Sequence, residues 1–250
     1  MTWLLDLDGV VWLADQPIPG AAAAISRLRS RGERVVFLTN NSSATSTEYL
    51  EKLALHGVPT ADDDLITSAQ AAATLVSPGE TVLICAGPGV AEAVEQRGAR
   101  PVHVGDADVA IVGWHRDFDF GRLTAAFSAV RAGARLIGTN DDATYPTPDG
   151  PLPGGGAILA AVAYAAGVEP VVAGKPFEPI ARLVRSRVDD VEIVVGDRPT
   201  TDGLLAERLG VDFGLVLSGV TSTGMVPTTP APALVAADLA DLVAQRYGRS

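Results

Sequence analysis

Trp3-Leu4-Leu5-Asp6-Leu7-Asp8-Gly9-Val10-Val11 is an apolar run of strand length that ends in two aspartates, one residue apart, and a glycine. In an extended segment, residues i and i+2 share a face. Asp6 and Asp8 therefore project together from the carboxyl end of the strand, the edge where open α/β sheets hold their ligands. Gly9 lets the backbone leave the strand through conformations that other residues avoid. Two carboxylates this close repel unless a cation lies between them or one keeps a proton. Aspartate and glycine also close strands for purely local reasons, so the motif takes its meaning from the rest of the chain.

Outward from that stretch, strand-like and helix-like runs alternate to the C-terminus, which predicts parallel βαβ units. Residues 21–31 read as a helix stopped by Gly32, and 35–38 as a buried strand ending in Thr39-Asn40-Asn41-Ser42-Ser43. Thr45 and Glu48 have capping-box spacing and open a helix that runs to about His56. A second α/β unit is expected over 68–174, with strands at 82–85, 109–112 and 136–138 and helices at 90–96, 123–132 and 157–166. Within it, 140–156 holds Pro146, Pro148, Pro151 and Pro153 with Gly150, Gly154, Gly155 and Gly156, which predicts a shaped loop. The triple glycine before a helix can offer amides to an anion, but it lacks the G-x-G-x-x-G spacing of a dinucleotide site. The first pattern resumes at Val171-Val172-Ala173-Gly174-Lys175-Pro176, followed by a helix over 177–187. A strand over 191–195 then runs into Gly196-Asp197-Arg198-Pro199-Thr200-Thr201-Asp202-Gly203. A strand at 213–217, a final helix at 233–246 and a frayed end at 247–250 complete the reading.

Composition narrows the classes. The chain has 250 residues, 47% of them hydrophobic, enough for one large or two smaller cores. A net charge of −11 argues against nucleic acid or an anionic membrane as partner. A phosphorylated substrate then needs a metal or a local cation. Cys85 is the single cysteine, which excludes disulfide scaffolds and Cys-based zinc sites, and it sits in an apolar run as a core thiol. The N-terminus has no basic leader, and Asp6 and Asp8 interrupt its apolar stretch, so no signal peptide is expected. The apolar helix at 157–166 is about half the ~20 residues of a membrane span. A reducing cytoplasm is the expected location.

Four strand ends carry polar residues of related chemistry: Asp6 and Asp8; Thr39, Asn40 and Asn41; Lys175; and Asp197 with Asp202. In a parallel sheet these ends meet on one edge. Acids suit a hard cation such as Mg²⁺, while a lysine, a hydroxyl and helix-start amides suit phosphoryl oxygens. That leaves one carboxylate as nucleophile and one as general acid/base.

The set Asp-x-Asp-Gly-Val, Val-x-Phe-Leu-Thr-Asn-Asn-Ser, Gly-Lys-Pro and Gly-Asp-x-x-x-Thr-Asp resembles the haloacid dehalogenase (HAD) superfamily of phosphohydrolases. More closely it is similar to the NagD-like or nitrophenylphosphatase branch, which has a large α/β cap between the second and third motifs. The likeness covers essentially the whole chain, including Pro17-Ile18-Pro19-Gly20-Ala21 and Thr139-Asn140-Asp141. It implies a doubly wound parallel-sheet α/β core over 1–67 and 175–250, with an inserted α/β cap over 68–174. It also implies a phosphatase using one Mg²⁺ per site on a small phosphate monoester, and it admits a homodimer through the cap. Carried over by position, Asp6 is the nucleophile that becomes an aspartyl phosphate, and Asp8 is the acid/base. The Asp6 carboxylate, the Asp8 main-chain carbonyl and Asp197 are the metal ligands, with Asp202 supporting them. Thr39 and the Asn40 amide hold phosphoryl oxygens, and Lys175 braces nucleophile and phosphate. Relatives of this kind hydrolyse nucleoside monophosphates, phosphoglycolate, glycerol phosphate or pyridoxal phosphate. Selectivity is expected from the cap loop, through Asp141, Thr144 and Tyr145.

Local alternatives stand beside these roles. Asn41 and Ser42 also fit as caps of the next helix, and Asp202 as a helix-start residue. His56, His103 and His115 match no metal-ligand spacing. His115 occupies a place where the family pattern often has an acid, which leaves the role of its segment open. Two rival functions share the motifs: a phosphotransferase or mutase of the same superfamily, and a phospho-accepting regulatory domain. The second lacks a reason for Asp8 and for a cap.

Overall fold

The computed structural model describes residues 1–147 and 149–248. Pro148 of the cap loop, and Arg249 and Ser250 of the end expected to fray, lie outside them. Among the described residues the first half of the core sheet comes from β1 (Thr2–Leu5), β2 (Arg34–Thr39) and β3 (Leu65–Thr67), with helices α1 (Ala21–Ser30) and α2 (Ser46–Leu55) between them. A second sheet follows in the order of sequence: α3 (Ser68–Ala73), β4 (Thr81–Cys85), α4 (Pro88–Gln96), β5 (Arg100–Val102), β6 (Val109–Val112), α5 (Phe120–Arg131), β7 (Arg135–Gly138), α6 (Gly155–Ala166) and β8 (Val171–Val172). The chain then returns through α7 (Glu178–Arg187), β9 (Val191–Gly196), α8 (Leu204–Leu209), β10 (Asp212–Val216), β11 (Leu234–Ala236) and α9 (Leu239–Tyr247). The core sheet has six parallel strands in the order β11-β10-β9-β1-β2-β3. The second has five, also parallel, in the order β8-β7-β6-β4-β5.

Period-two alternation builds both faces of the core sheet. Leu4, Val36, Leu38 and Val194 pack with Ile180, Val184 and Leu205 of α7 and α8. Trp3, Leu5, Val35, Phe37, Ile193 and Val195 pack on the other face with Ile25, Leu28, Tyr49, Leu53 and Leu242 of α1, α2 and α9. The second sheet repeats the scheme: Leu83, Cys85, Ala110 and Val112 pack against α5 and α6, and Val82, Ile84, Val109 and Ile111 join the first cluster through α3 and α4. One buried layer therefore runs continuously from the core into the inserted unit. The expected capping box is present: Thr45 Oγ1 accepts the Glu48 amide at 3.2 Å, and Glu48 accepts the Thr45 amide at 2.7 Å.

Several elements differ from the sequence reading. The single helix expected at 233–246 is a strand and a shorter helix. Leu234–Ala236 pairs with β10, and Asp238 caps α9 by accepting the Asp241 amide at 2.9 Å. Pairing at a sheet edge overrides a local apolar periodicity that a helix would satisfy equally well. Tyr247, expected to fray, ends α9. Val171 and Val172, where the core pattern was expected to resume, pair with β7 in the second sheet, inside the 68–174 unit. The strands β3 and β5 and the short helices α3 and α8 escaped the reading because they are too short to show a period. The glycine- and proline-rich stretch contains an antiparallel pair, Thr144–Tyr145 with Leu152–Pro153, and α6 begins at Gly155. Within the described residues, no helix is long and apolar enough to cross a membrane.

Candidate active site

β1 ends at Leu5, and the Asp6 amide continues its ladder by donating to the Val195 carbonyl at 2.9 Å. The chain then turns sharply at Gly9, whose φ of 89° lies in the left-handed region. A Cβ there would come within 2.6 Å of Asp197 Cγ, so the turn needs glycine twice over. β2 delivers Thr39 and Asn40 beside it, and β9 delivers Asp197. A π-helical turn, Pro199–Gly203, carries Asp202 back under the sheet edge. Such turns recur where a side chain must be re-aimed at a site.

Lys175 is the centre of the charge arrangement. Its Nζ lies 2.8 Å from Asp6 Oδ1 and 2.7 Å from Asp202 Oδ1, and reaches the Leu38 carbonyl at 3.4 Å. Candidate ligand atoms of Asp6, Asp197 and Asp202 lie within 4.8 Å of one another, and all three residues are buried. Three carboxylates thus face a single ammonium, and the excess of negative charge shows in the titration of Asp6, Asp197 and Lys175. Burial, with repulsion from Asp202 and Asp197, pushes the Asp6 carboxyl well above its usual range despite Lys175. Burial and Asp202 lift Asp197 to about 7. Burial alone would lower the Lys175 ammonium, but Asp202 and Asp6 outweigh it and hold it firmly protonated. Asp197 Oδ2 accepts the Val220 amide at 2.5 Å, while its Oδ1 is buried without a partner among the described residues. A divalent cation fits this place, because it supplies the missing positive charge and a partner for the orphaned oxygen. Asp202 spends its oxygens on Lys175 and on the Arg198 amide at 3.1 Å, from its place in the helical turn that leads into α8.

The second strand end organises the neighbouring loop. Thr39 is buried, and its Oγ1 accepts the Asn41 amide at 3.1 Å. The Asn40 side chain is fully committed: Oδ1 accepts the Lys175 amide at 2.7 Å, and Nδ2 donates to the Lys175 carbonyl at 3.1 Å and to Asp142 Oδ2 at 2.9 Å. Asn41 and Ser42 do not cap α2; Thr45 does. Asn41 Oδ1 accepts the Ser43 amide at 3.0 Å in an Asx turn, and Ser42 Oγ meets Thr139 Oγ1 at 2.9 Å.

The inserted unit closes over these groups. A cavity of about 50 Å³ is lined by Asp6, Asp8, Thr39, Asn41 and Lys175 below and by Trp114, Asn140, Asp142, Tyr145 and Gly155 above. The Tyr145 hydroxyl donates to Asp8 Oδ1 at 3.2 Å, and its ring stacks on Trp114 at 4.5 Å. Burial raises the Asp8 carboxyl above its ordinary value, against the pull of Lys52 and this hydroxyl. Asp141, the acid expected to read the leaving group, is exposed and absent from the lining. Its neighbour Asp142 takes the inner position, between Asn40 and Arg198 Nη1 at 3.6 Å. A one-residue shift of this kind is invisible in a loop without periodicity. His115 lies outside the cavity, buried, with Nδ1 on the Gly113 carbonyl at 2.9 Å. Sequence reasoning also missed Trp114 and Arg198 as lining residues. Arg198 sits inside the fourth motif and could have been found there, whereas Trp114 carried no signal.

With this geometry in view, comparison with known proteins places the chain. A family model for haloacid dehalogenase-like hydrolases matches residues 3–100, and one for HAD-hydrolase-like proteins matches 172–242. The chain is 38% identical over 226 residues to a D-glycerol 3-phosphate phosphatase of Mycobacterium tuberculosis, a match spanning 88% of this chain and 63% of that protein. It is 34% identical to an acid sugar phosphatase of Staphylococcus saprophyticus over 88% of this chain and 87% of that one. The crystal structure of a Mycobacterium tuberculosis glycerol phosphate phosphatase in complex with magnesium superposes with a TM-score of 0.87 at 36% identity, covering 96% of this chain and 75% of that one. The four motifs, the doubly wound sheet that gathers them and relatives matched across most of both chains agree, and the chain belongs to the haloacid dehalogenase-like hydrolases.

Proposed function

We propose that the chain is a Mg²⁺-dependent phosphatase acting on a small phosphate monoester through an aspartyl phosphate on Asp6. The observation that carries the reading is the buried cluster of Asp6, Asp197 and Asp202 around one ammonium, with an unpartnered oxygen on Asp197. The phosphatase names of the relatives and the magnesium in one of them support it. Asp6, Asp197 and the Asp8 main-chain carbonyl would hold the cation, which supplies charge neutralisation of phosphoryl oxygens when bound.

The chain's own residues divide the reaction as follows. The Asp6 carboxylate attacks phosphorus in line, and the bond to the leaving oxygen breaks as Asp8 delivers its proton to that oxygen. Asp8, now ionised, takes a proton from a water that attacks the aspartyl phosphate, which releases phosphate and restores Asp6. The raised pKa of Asp8 suits the first of these tasks. Lys175 holds Asp6 in place and offsets charge on the phosphoryl group. Thr39 and the Asn40 amide bind its other oxygens; the Asn40 side chain is held elsewhere. We assign 1–67 and 175–250 to the catalytic core and 68–174 to a cap that selects the leaving group, a division that follows the two sheets. The reducing cytoplasm and a homodimer through the cap are part of the same reading. Exposed Phe120 and Tyr164 on cap helices α5 and α6 favour the dimer, which light scattering on the purified protein would test.

Phosphate release from p-nitrophenyl phosphate tests the central claim. Turnover is expected with Mg²⁺ or Mn²⁺, not in excess EDTA, and inhibition is expected with Ca²⁺, whose larger shell distorts an octahedral site. Full activity in EDTA would refute the metal-dependent reading.

A further inference from the structure

The Asn40 carbonyl receives two hydrogen bonds from side chains far away in sequence. Ser68 Oγ donates to it at 2.7 Å and Asn140 Nδ2 at 2.6 Å, and all three residues are buried. Ser68 opens α3 and Asn140 stands two residues beyond β7, so both donors come from the inserted unit. Two donors on one carbonyl occupy both of its lone pairs and fix the plane of the peptide between Asn40 and Asn41. The other end of that peptide is the Asn41 amide, which donates to Thr39 Oγ1 at 3.1 Å. The next carbonyl, that of Asn41, is held from the core by the Tyr49 hydroxyl at 2.7 Å.

In a trans peptide the carbonyl and the amide point in opposite directions, so an anchor on one sets the other. A threonine hydroxyl that accepts an amide keeps its own proton to give. Thr39 lines the cavity with Asp6, where that proton can meet a phosphoryl oxygen. With the peptide turned over, the carbonyl would face Thr39 Oγ1 and take the proton, and the loop would show an anion the wrong end of a dipole. We propose that Ser68 and Asn140 are positioning residues for phosphoryl transfer: through the Asn40 carbonyl they keep the Asn41 amide on Thr39, which leaves the threonine hydroxyl for the phosphoryl group. The inserted unit then helps to bind the phosphoryl group as well as to cover it. This assignment rests on the phosphatase reading above. Ser68 does not line the cavity, so any effect it has on turnover passes through the loop.

The test is a double-mutant cycle of Ser68→Ala with Thr39→Val. It reads kcat/KM on p-nitrophenyl phosphate and on ethyl phosphate, and the Kd of inorganic phosphate in the presence of Mg²⁺, which needs no turnover. Ser68→Ala alone is expected to lower kcat/KM by about tenfold on both esters and to weaken phosphate by a similar factor, because the affected group is the one that all three share. In the Thr39→Val background the same change is expected to move the phosphate Kd by less than about twofold. A purely structural role lowers both backgrounds alike. An equal loss in both, no loss in either, or a loss that depends on the ester would overturn the positioning role. A Thr39→Val enzyme as active as the wild type would overturn it as well. Asn140→Leu, which keeps the bulk and removes the donor, runs the same cycle if Ser68→Ala does not fold. A wild type without turnover on either ester would instead overturn the phosphatase reading.

Discussion

Lys175 stands 2.8 Å from Asp6 and 2.7 Å from Asp202, and all three side chains are buried. An ammonium in that position does two jobs, since it fixes the rotamer of the carboxylate proposed to attack phosphorus and offsets charge that water cannot reach. Removing it leaves two buried carboxylates facing each other. Lys175→Met is therefore expected to cost roughly 3–5 kcal/mol of stability by urea unfolding, and adding Asp202→Asn should recover at least about 1 kcal/mol. A loss below about 1 kcal/mol in the single variant would show that the charges are screened after all. Asp6→Asn presents the opposite case. The amide keeps the shape and relieves repulsion, so the fold should hold or gain, while turnover falls by several orders of magnitude with the nucleophile gone. Residual activity within about tenfold of wild type would take the nucleophile's role away from Asp6.

At the scale of elements, the turn after β1 is the most constrained piece of backbone in the site. Gly9→Ala would place a methyl in a left-handed conformation and within 2.6 Å of Asp197 Cγ. The expected cost is about 1–3 kcal/mol, together with a rise of at least about tenfold in the Mg²⁺ concentration needed for half-maximal rate, read by metal titration. An unchanged metal requirement would separate the turn from the metal site. β4 supplies a pH-dependent case of a different kind. Burial raises the Cys85 thiol from 9.0 to about 11, so the native state holds this proton more tightly than the unfolded chain does. Its contribution is complete below pH 9 and disappears as pH rises toward 11, a change of about 3 kcal/mol. Melting curves should therefore fall more steeply between these pH values for the wild type than for Cys85→Ala. Parallel curves would mean that the thiol ionises without resistance.

Across the whole molecule, Asn40 ties the two units together. Its side chain bonds Lys175 and Asp142, and its carbonyl accepts from Ser68 at 2.7 Å and Asn140 at 2.6 Å, so one residue touches both crossings between core and cap. Tyr145 makes the second link, from the cap to Asp8. This closed arrangement leaves little room above the phosphoryl position, and a leaving group must displace the tyrosine or shift the cap. Tyr145→Phe keeps the stack on Trp114 and removes the hydrogen bond, so it should change kcat for all esters alike. Tyr145→Ala removes the wall as well and should reorder the esters by tenfold or more in relative kcat/KM, roughly 1.4 kcal/mol of discrimination. If both variants lowered every ester equally, Tyr145 would act only through Asp8.

The candidate site of the core was readable before any tertiary contact was known. Asp6, Asp8, Thr39, Lys175, Asp197 and Asp202 each sit at the end of an apolar run or in its following turn, and strand periodicity is a local property that sends such ends to one edge. The cap was readable only as a unit. Which of Asp141 and Asp142 faces inward, and that Trp114 reaches a site formed by residues far away in sequence, depend on how a loop folds back on a sheet. Val171 and Leu234 show the same limit, because short apolar runs satisfy helix or strand, core or cap, until a neighbouring edge accepts their hydrogen bonds. The sequence by itself determined which polar groups end the core strands and on which edge they meet. Tertiary structure alone decided what stands over them, since the contacts between cap and core join residues with no common local period.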